Sequence, residues 1–166
     1  MPRGASGLIV IGIGNPDRGD DAAGRCVARL VRPMLPDDVR VVEQDGEATA
    51  LLACLDGVRA AFLIDACASG APAGTVHRFD AAASPLPSGA FGLSTHGFGL
   101  AEGIELARAL GQLPSVCVVY AIEGACFEIG AALSPPVRES LAGVASRLRA
   151  EFTGAHDLAR RDAAHA

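Results

Sequence analysis

The sequence predicts an α/β fold: a three-layer sandwich around a mainly parallel twisted sheet of about five strands. Three observations lead there. Short apolar runs alternate with segments whose apolar residues recur at three and four, so strands alternate with helices. Half of the 166 residues are apolar while only 4% are aromatic, with no Trp, so the core must be Val, Ile, Leu and Ala. That is the composition of a sheet covered on both faces. The length is that of one domain and needs no disulfide or metal staple. Residues 1–153 therefore read as a single α/β domain, followed by a polar, Ala/Arg-rich C-terminal tail over 154–166 that should fray.

The elements follow in order. Leu8–Ile13 is a continuous apolar run, a central buried strand. After a glycine-rich loop, Ala22, Ala23, Cys26, Val27, Leu30 and Val31 mark a helix that should end near Met34-Leu35-Pro36. Val39–Glu43 is a second strand and Thr49–Leu55 a short helix stopped by Asp56-Gly57. Ala60–Ala66 is a third strand with an acidic end, and Thr75–Phe79 alternates like an edge strand, possible in the antiparallel sense. A Pro/Ser/Ala loop over Ala81–Gly89 leads towards a helix over Phe98–Leu110, capped by Gly111. Ser115–Ile122 is the last strand. Ser134-Pro135-Pro136 starts a helix, with Ser as N-cap, that runs to about Ala150. Right-handed crossovers suggest the strand order second-first-third-fifth, with the fourth at an edge.

Composition removes several function classes. The net charge of −5 gives no electrostatic case for nucleic acid. All fourteen cationic side chains are Arg, so a Walker-type lysine, a Schiff base and Ser-Lys chemistry are absent from this chain. Five cysteines, an odd number without CxxC spacing, read as small buried hydrophobes in a reducing compartment. The short N-terminal segment lacks the apolar region of a signal peptide, and no apolar run could span a bilayer. A cytoplasmic protein without a membrane partner is expected.

Three polar features fall where such a fold places its site, outside the carboxyl ends of the strands. The first is the loop Gly12-Ile13-Gly14-Asn15-Pro16-Asp17-Arg18-Gly19-Asp20-Asp21. The second is Asp65, ending an apolar strand. The third is Ser94-Thr95-His96-Gly97, entering a helix. The first loop starts like a dinucleotide fingerprint, but Asp17 holds the third glycine position and two more acids follow. Pyrophosphate would meet carboxylates where bare N–H groups are needed. One of Asp20 and Asp21 can cap the following helix; two side-by-side carboxylates repel unless a cation or proton compensates, so the other is expected to serve function. A helix N-terminus disfavours imidazolium, leaving His96 neutral with a lone pair to offer. Carboxylates and a neutral imidazole at one rim suit a divalent first-row metal. No nucleophile–base pair competes: Cys67 lies among acids that suppress its thiolate, no Ser sits on a Gly-x-Ser-x-Gly elbow, and there is no His-Glu-x-x-His.

Gly-Ile-Gly-Asn-Pro with Gly19-Asp20-Asp21-Ala-Ala-Gly, then Ile64-Asp65-Ala66, then Ser94-Thr95-His96, resembles the hydrogenase maturation endopeptidases over about residues 8–150. Asp45-Gly46, Ala121-Ile122-Glu123-Gly124 and Leu133-Ser134-Pro135 resemble three further blocks of that family, with Glu47-Ala48 in place of its usual Gly-Thr and Gly124 in place of its usual Pro. The resemblance implies an α/β sandwich that removes the C-terminal extension of a nickel-iron hydrogenase large-subunit precursor once nickel is inserted. It implies that Asp21, Asp65 and His96 contact the nickel, which the substrate carries; another divalent metal could occupy the isolated protein. The metal would position the scissile peptide and polarise its carbonyl or a water. Asp45, or one of the ligands, is then the candidate general base. A monomer is the default for a one-to-one processing enzyme. Two rival classes are a non-catalytic nickel-dependent chaperone or docking protein for the same precursor, and a nucleotide- or sugar-phosphate-binding enzyme, which the acidic loop disfavours.

Overall fold

The computed structural model describes residues 7–87 and 99–164. Five strands, β1 (Leu8–Ile13), β2 (Arg40–Gln44), β3 (Ala60–Cys67), β4 (Val76–Asp80) and β5 (Val116–Glu123), form one sheet. Their order is β2-β1-β3-β5-β4. β1, β2, β3 and β5 run parallel, and β4 pairs antiparallel with β5 at the edge. This is the order expected from right-handed crossovers, including the antiparallel edge strand.

The side-chain alternation of the strands divides the core in two. On one face Leu8, Val10, Phe62, Ile64, Val118 and Tyr120 pack against α1 (Ala23–Val31) and α4 (Pro135–Ala164). On the other, Ile9, Ile11, Leu63, Val119 and Ala121 pack against α2 (Ala48–Leu55) and α3 (Leu100–Ala109). The central strands β1 and β3 are buried along nearly their whole length, which is why they read as unbroken apolar runs.

Two local differences from the sequence expectations have physical causes. The helix after the first loop begins as a 3-10 turn, Gly19–Ala22, which holds both aspartates before α1 proper starts at Ala23. Helix α4 does not fray after residue 153 but continues to Ala164. Ala and Arg are strong helix formers, so polarity alone does not end a helix. Phe152 and His156 also bury against the fold, with the Phe152 ring 5.8 Å from that of Phe62. Phe98, the expected start of α3, and residues 88–89 of the preceding loop lie outside the described residues. Among the described residues, no helix is long and apolar enough to cross a membrane.

Candidate functional site

The parallel strands all end at one edge of the sheet, so the segments after Ile13, Gln44, Cys67 and Glu123 gather there. The loop after β1 folds back tightly. Gly14 has φ +139° and lies so close to the Asp21 carbonyl that a Cβ would sit 1.8 Å from its oxygen. Only glycine can occupy that position. Gly24, at the start of α1, serves a second close approach: a Cβ there would lie 2.2 Å from the Ile64 carbonyl oxygen and 2.5 Å from that of Ile13. The helix therefore seats directly on the ends of β1 and β3, one residue before Asp65.

Asp20 and Asp21 have opposite fates. The Asp20 carboxylate is fully buried and accepts from the backbone N–H groups of Ala125, Cys126 and Ser134 at 2.7, 3.0 and 2.7 Å. It also accepts from the Ser134 hydroxyl at 2.8 Å. Burial pushes its pKa up, but these four donors outweigh burial and hold it below the ordinary carboxylate range. Asp20 thus clasps the segment 124–134 rather than capping α1, whose N-terminus has no side-chain cap. Ser134 occupies the expected N-cap position of α4, its carbonyl accepting from Arg138 N–H at 3.0 Å. Two further bonds tie the same segments: Arg18 Nε donates to the Phe127 carbonyl at 2.9 Å, and Gly130 N–H donates to that of Asp17 at 2.7 Å.

Asp21 is half-buried and takes one protein donor in that loop, the Asn15 N–H at 2.9 Å. Asp65 lies on the β3 face that carries Leu63 and Cys67, and its carboxyl accepts from Ala66 N–H at 2.8 Å. Desolvation raises the Asp65 pKa well above the ordinary value, and the charge of Asp21 raises it further. The two acids are therefore close enough to feel each other across a poorly solvated gap, a frustration that a proton or a cation relieves. Asp45 is exposed after β2, with its Oδ1 accepting from Glu47 N–H at 3.0 Å. Glu47 in turn caps α2 by accepting from the Thr49 and Ala50 N–H groups. His96, together with Ser94 and Thr95, lies outside the described residues.

A second polar group adjoins Asp65. Glu123, 2% exposed, accepts at Oε1 from the Ser69 and Gly70 N–H groups at 2.6 and 2.9 Å. Its Oε2 accepts from the Ser69 hydroxyl at 2.8 Å and the Cys67 thiol at 3.1 Å, and stands 3.3 Å from His77 Nε2. Burial opposes the Glu123 charge, but these donors bring its pKa down to about 2. The Cys67 thiol is pushed far up by burial, its bond to Glu123 and nearby acids, so it is no nucleophile. The grouping of Cys67, His77 and Glu123 was not visible in the sequence. The three are far apart along the chain and meet only through strand pairing.

Fold and site define an α/β sandwich with acidic side chains, Asp21 and Asp65 among them, gathered at the carboxyl end of its parallel strands. The family profile described as hydrogenase maturation protease, HycI, matches residues 24–151. The chain belongs to that family and is accordingly a protease, a hydrolase of hydrogenase maturation. No curated protein matches it. Among solved structures, the hydrogenase maturating endopeptidase HybD from E. coli is 22% identical with TM-score 0.68, over 87% of this chain and 93% of that one. The [NiFe] hydrogenase maturation protease HycI from Thermococcus kodakarensis is 23% identical with TM-score 0.65, over 86% and 89%. An Escherichia coli endopeptidase solved in solution is 21% identical with TM-score 0.69, over 87% and 93%. These similarities show a shared fold across nearly the full length of each chain.

Proposed function

We propose that the protein is the endopeptidase that removes the C-terminal extension of a nickel-iron hydrogenase large-subunit precursor, recognising the nickel already inserted there. The observation that carries this reading is the Asp21–Asp65 pair: two acids held close at the ends of β1 and β3, with Asp65 destabilised as an anion by burial and by Asp21. Such a pair is a poor structural device and a good cation receptor. His96 supplies the third ligand. It precedes α3, which packs on the same sheet face that carries Asp65, so the chain connection favours this grouping. Two carboxylates and one imidazole suit nickel in the divalent state.

In this mechanism Asp21, Asp65 and His96 hold the precursor by the metal it brings. The scissile peptide is thereby fixed beside a Lewis acid that polarises its carbonyl or a water. Asp45, exposed at the end of β2, or one of the ligand acids, takes the proton from the attacking water. The clasp made by Asp20 keeps the loop bearing Asp21 in place while contributing no ligand of its own. We place this reaction in the cytoplasm, between a monomeric enzyme and the soluble precursor. The cysteines are all free thiols, consistent with a reducing compartment.

Cleavage of purified precursor, with and without inserted nickel, tests the reading. Nickel-loaded precursor should be shortened, and nickel-free precursor should persist. The variants Asp21→Ala, Asp65→Asn and His96→Ala should each lower the rate at least a hundredfold. Equal cleavage of nickel-free precursor, or full activity in His96→Ala, would overturn nickel recognition. Binding of loaded precursor without any change in its length would instead establish a docking protein.

A further inference from the structure

We propose that Cys67, His77 and Glu123 form a binding site for a borderline divalent cation of the zinc class, separate from the Asp21–Asp65 pair. The sheet builds it. Cys67 and Glu123 are direct partners in the parallel register of β3 and β5. His77 on β4 pairs with Ala121, which puts it on the same face and diagonal to Glu123, two residues further along β5. Three adjacent strands thus point one sulfur, one nitrogen and one oxygen at a common spot, all within 4.8 Å of one another.

The spacing is close to that of a tetrahedral site. With ligand bonds of about 2.0–2.3 Å, tetrahedral zinc separates S from O by about 3.6 Å and N from O by about 3.4 Å. The corresponding distances are 3.1 Å from Cys67 Sγ and 3.3 Å from His77 Nε2 to Glu123 Oε2. A cation therefore enters where hydrogen-bond protons now lie, with the sulfur moving by about half an ångström. The outer shell already exists. Ser69 and Gly70 N–H groups fix Oε1 of Glu123, which leaves Oε2 directed at the other two ligands. The Ser69 hydroxyl, 2.8 Å from Oε2, or a water completes four ligands.

Access and charge also fit. Cys67 is 1% exposed and Glu123 2%, while the His77 side chain is 29% exposed and forms the open side. On binding, the Cys67 S–H bond breaks, its proton goes to solvent, and the sulfur lone pair forms the bond to the metal. His77 binds through the Nε2 lone pair, with its ring proton on Nδ1. One thiolate and one carboxylate then neutralise a divalent cation. A thiolate–imidazole–carboxylate set selects zinc or cobalt over magnesium or calcium. Such an ion would pin the edge strand β4 and the segment after Asp65 to the end of β5.

Cobalt(II) titration of the chelator-treated full chain tests this directly. One equivalent should produce a thiolate-to-cobalt charge-transfer band and the intense visible bands of four-coordinate cobalt, and zinc should displace both. Cys67→Ser should abolish the charge-transfer band, and His77→Ala should weaken cobalt binding at least tenfold with the circular dichroism of the fold unchanged. Asp65→Asn should keep the bands, which separates this site from the substrate-metal reading. No charge-transfer band overturns the proposal. So does a band that survives Cys67→Ser, which assigns the ion to Cys26, Cys54, Cys117 or Cys126. So, finally, does a band lost in Asp65→Asn but kept in His77→Ala.

Discussion

Removing the Asp20 carboxylate should destabilise the fold far more than removing its neighbour Asp21. In Asp20→Ala, three part-buried backbone donors, at Ala125, Cys126 and Ser134, lose their acceptor, and the Ser134 hydroxyl loses a fourth bond. A fully buried donor left without a partner costs about 1–3 kcal/mol; these donors are part-buried, so water recovers part of it and each falls at the lower end. The expected loss is about 3–6 kcal/mol, a large share of the roughly 5–15 kcal/mol that holds a domain folded. At about 2–4 °C per kcal/mol for this size, melting should fall by roughly 10–20 °C. Urea unfolding should show a lower midpoint at an unchanged slope. Asp21→Ala, which among the described residues removes one bond, to the exposed Asn15 N–H, should cost less than about 1 kcal/mol. The difference should also depend on pH. The folded-state pKa of Asp20 lies below its unfolded value. Its contribution is therefore present above the unfolded pKa and lost as pH falls through the folded one, so wild type and Asp20→Ala should converge in acid. Equal melting temperatures for Asp20→Ala and Asp21→Ala would refute the division of labour between the two acids.

Asp65 carries the opposite sign. Its folded-state pKa is raised, so its ionisation opposes folding, and metal-free stability should decline as pH rises from the unfolded value towards the folded one. Asp65→Asn should remove that decline and raise the melting temperature at neutral pH while abolishing cleavage; a lower melting temperature would mean that the acid is held by partners rather than frustrated. Glu123, with a pKa of about 2, should support the fold above the ordinary carboxylate range and release it between pH ~4.5 and ~2. Glu123→Gln should flatten that acid limb, and a superimposable acid titration would refute the assignment. Gly24→Ala forces a methyl group against two strand carbonyls, at 2.2 and 2.5 Å. Overpacking costs about 1–3 kcal/mol, against at most about 1 kcal/mol gained in helix propensity. Net destabilisation with reduced cleavage is expected in urea unfolding and the precursor assay; a more stable variant would show that α1 can lift off the sheet without strain.

Local signals carried most of the fold. The runs Leu8–Ile13 and Ala60–Ala66 are apolar because both faces of β1 and β3 are covered, so burial wrote itself into the sequence. The edge position of β4 was legible from its alternation, since one side of Val76–Asp80 meets solvent. The extent of α4 was not legible. Its last turns are polar, and what holds them is the packing of Phe152 on Phe62 of the sheet, with His156 stacked on Phe152, contacts that arise only on tertiary folding. The site divides in the same way. Asp21 lies in the 3-10 turn that follows the β1 loop and Asp65 near the end of β3, where chain order alone suggests a site, whereas the Cys67–His77–Glu123 cluster depends on the register of β3, β5 and β4, which no linear spacing encodes.

The adjacent acids show why a motif can be recognised before its parts are understood. Gly19–Ala22 is a 3-10 turn, with about three residues per turn, so consecutive side chains leave the axis about 120° apart. One aspartate must then face the protein if its neighbour faces the cleft. Asp20 turns inward and binds the segment that leads from β5 into α4. Asp21 turns towards Asp65 and contributes to its raised pKa. In the proposed function, stability then comes from Asp20 and metal capture from Asp21, two neighbours that the turn geometry points in different directions. Exchange of either for a neutral residue should damage activity by different routes: Asp21→Asn through loss of metal capture in a fully folded protein, and Asp20→Asn through loosening of the loop that aims Asp21. Added nickel-loaded precursor distinguishes them. By mass action a bound ligand stabilises only the state that binds it, so Asp20→Asn should regain melting temperature with precursor, and Asp21→Asn should show no such shift.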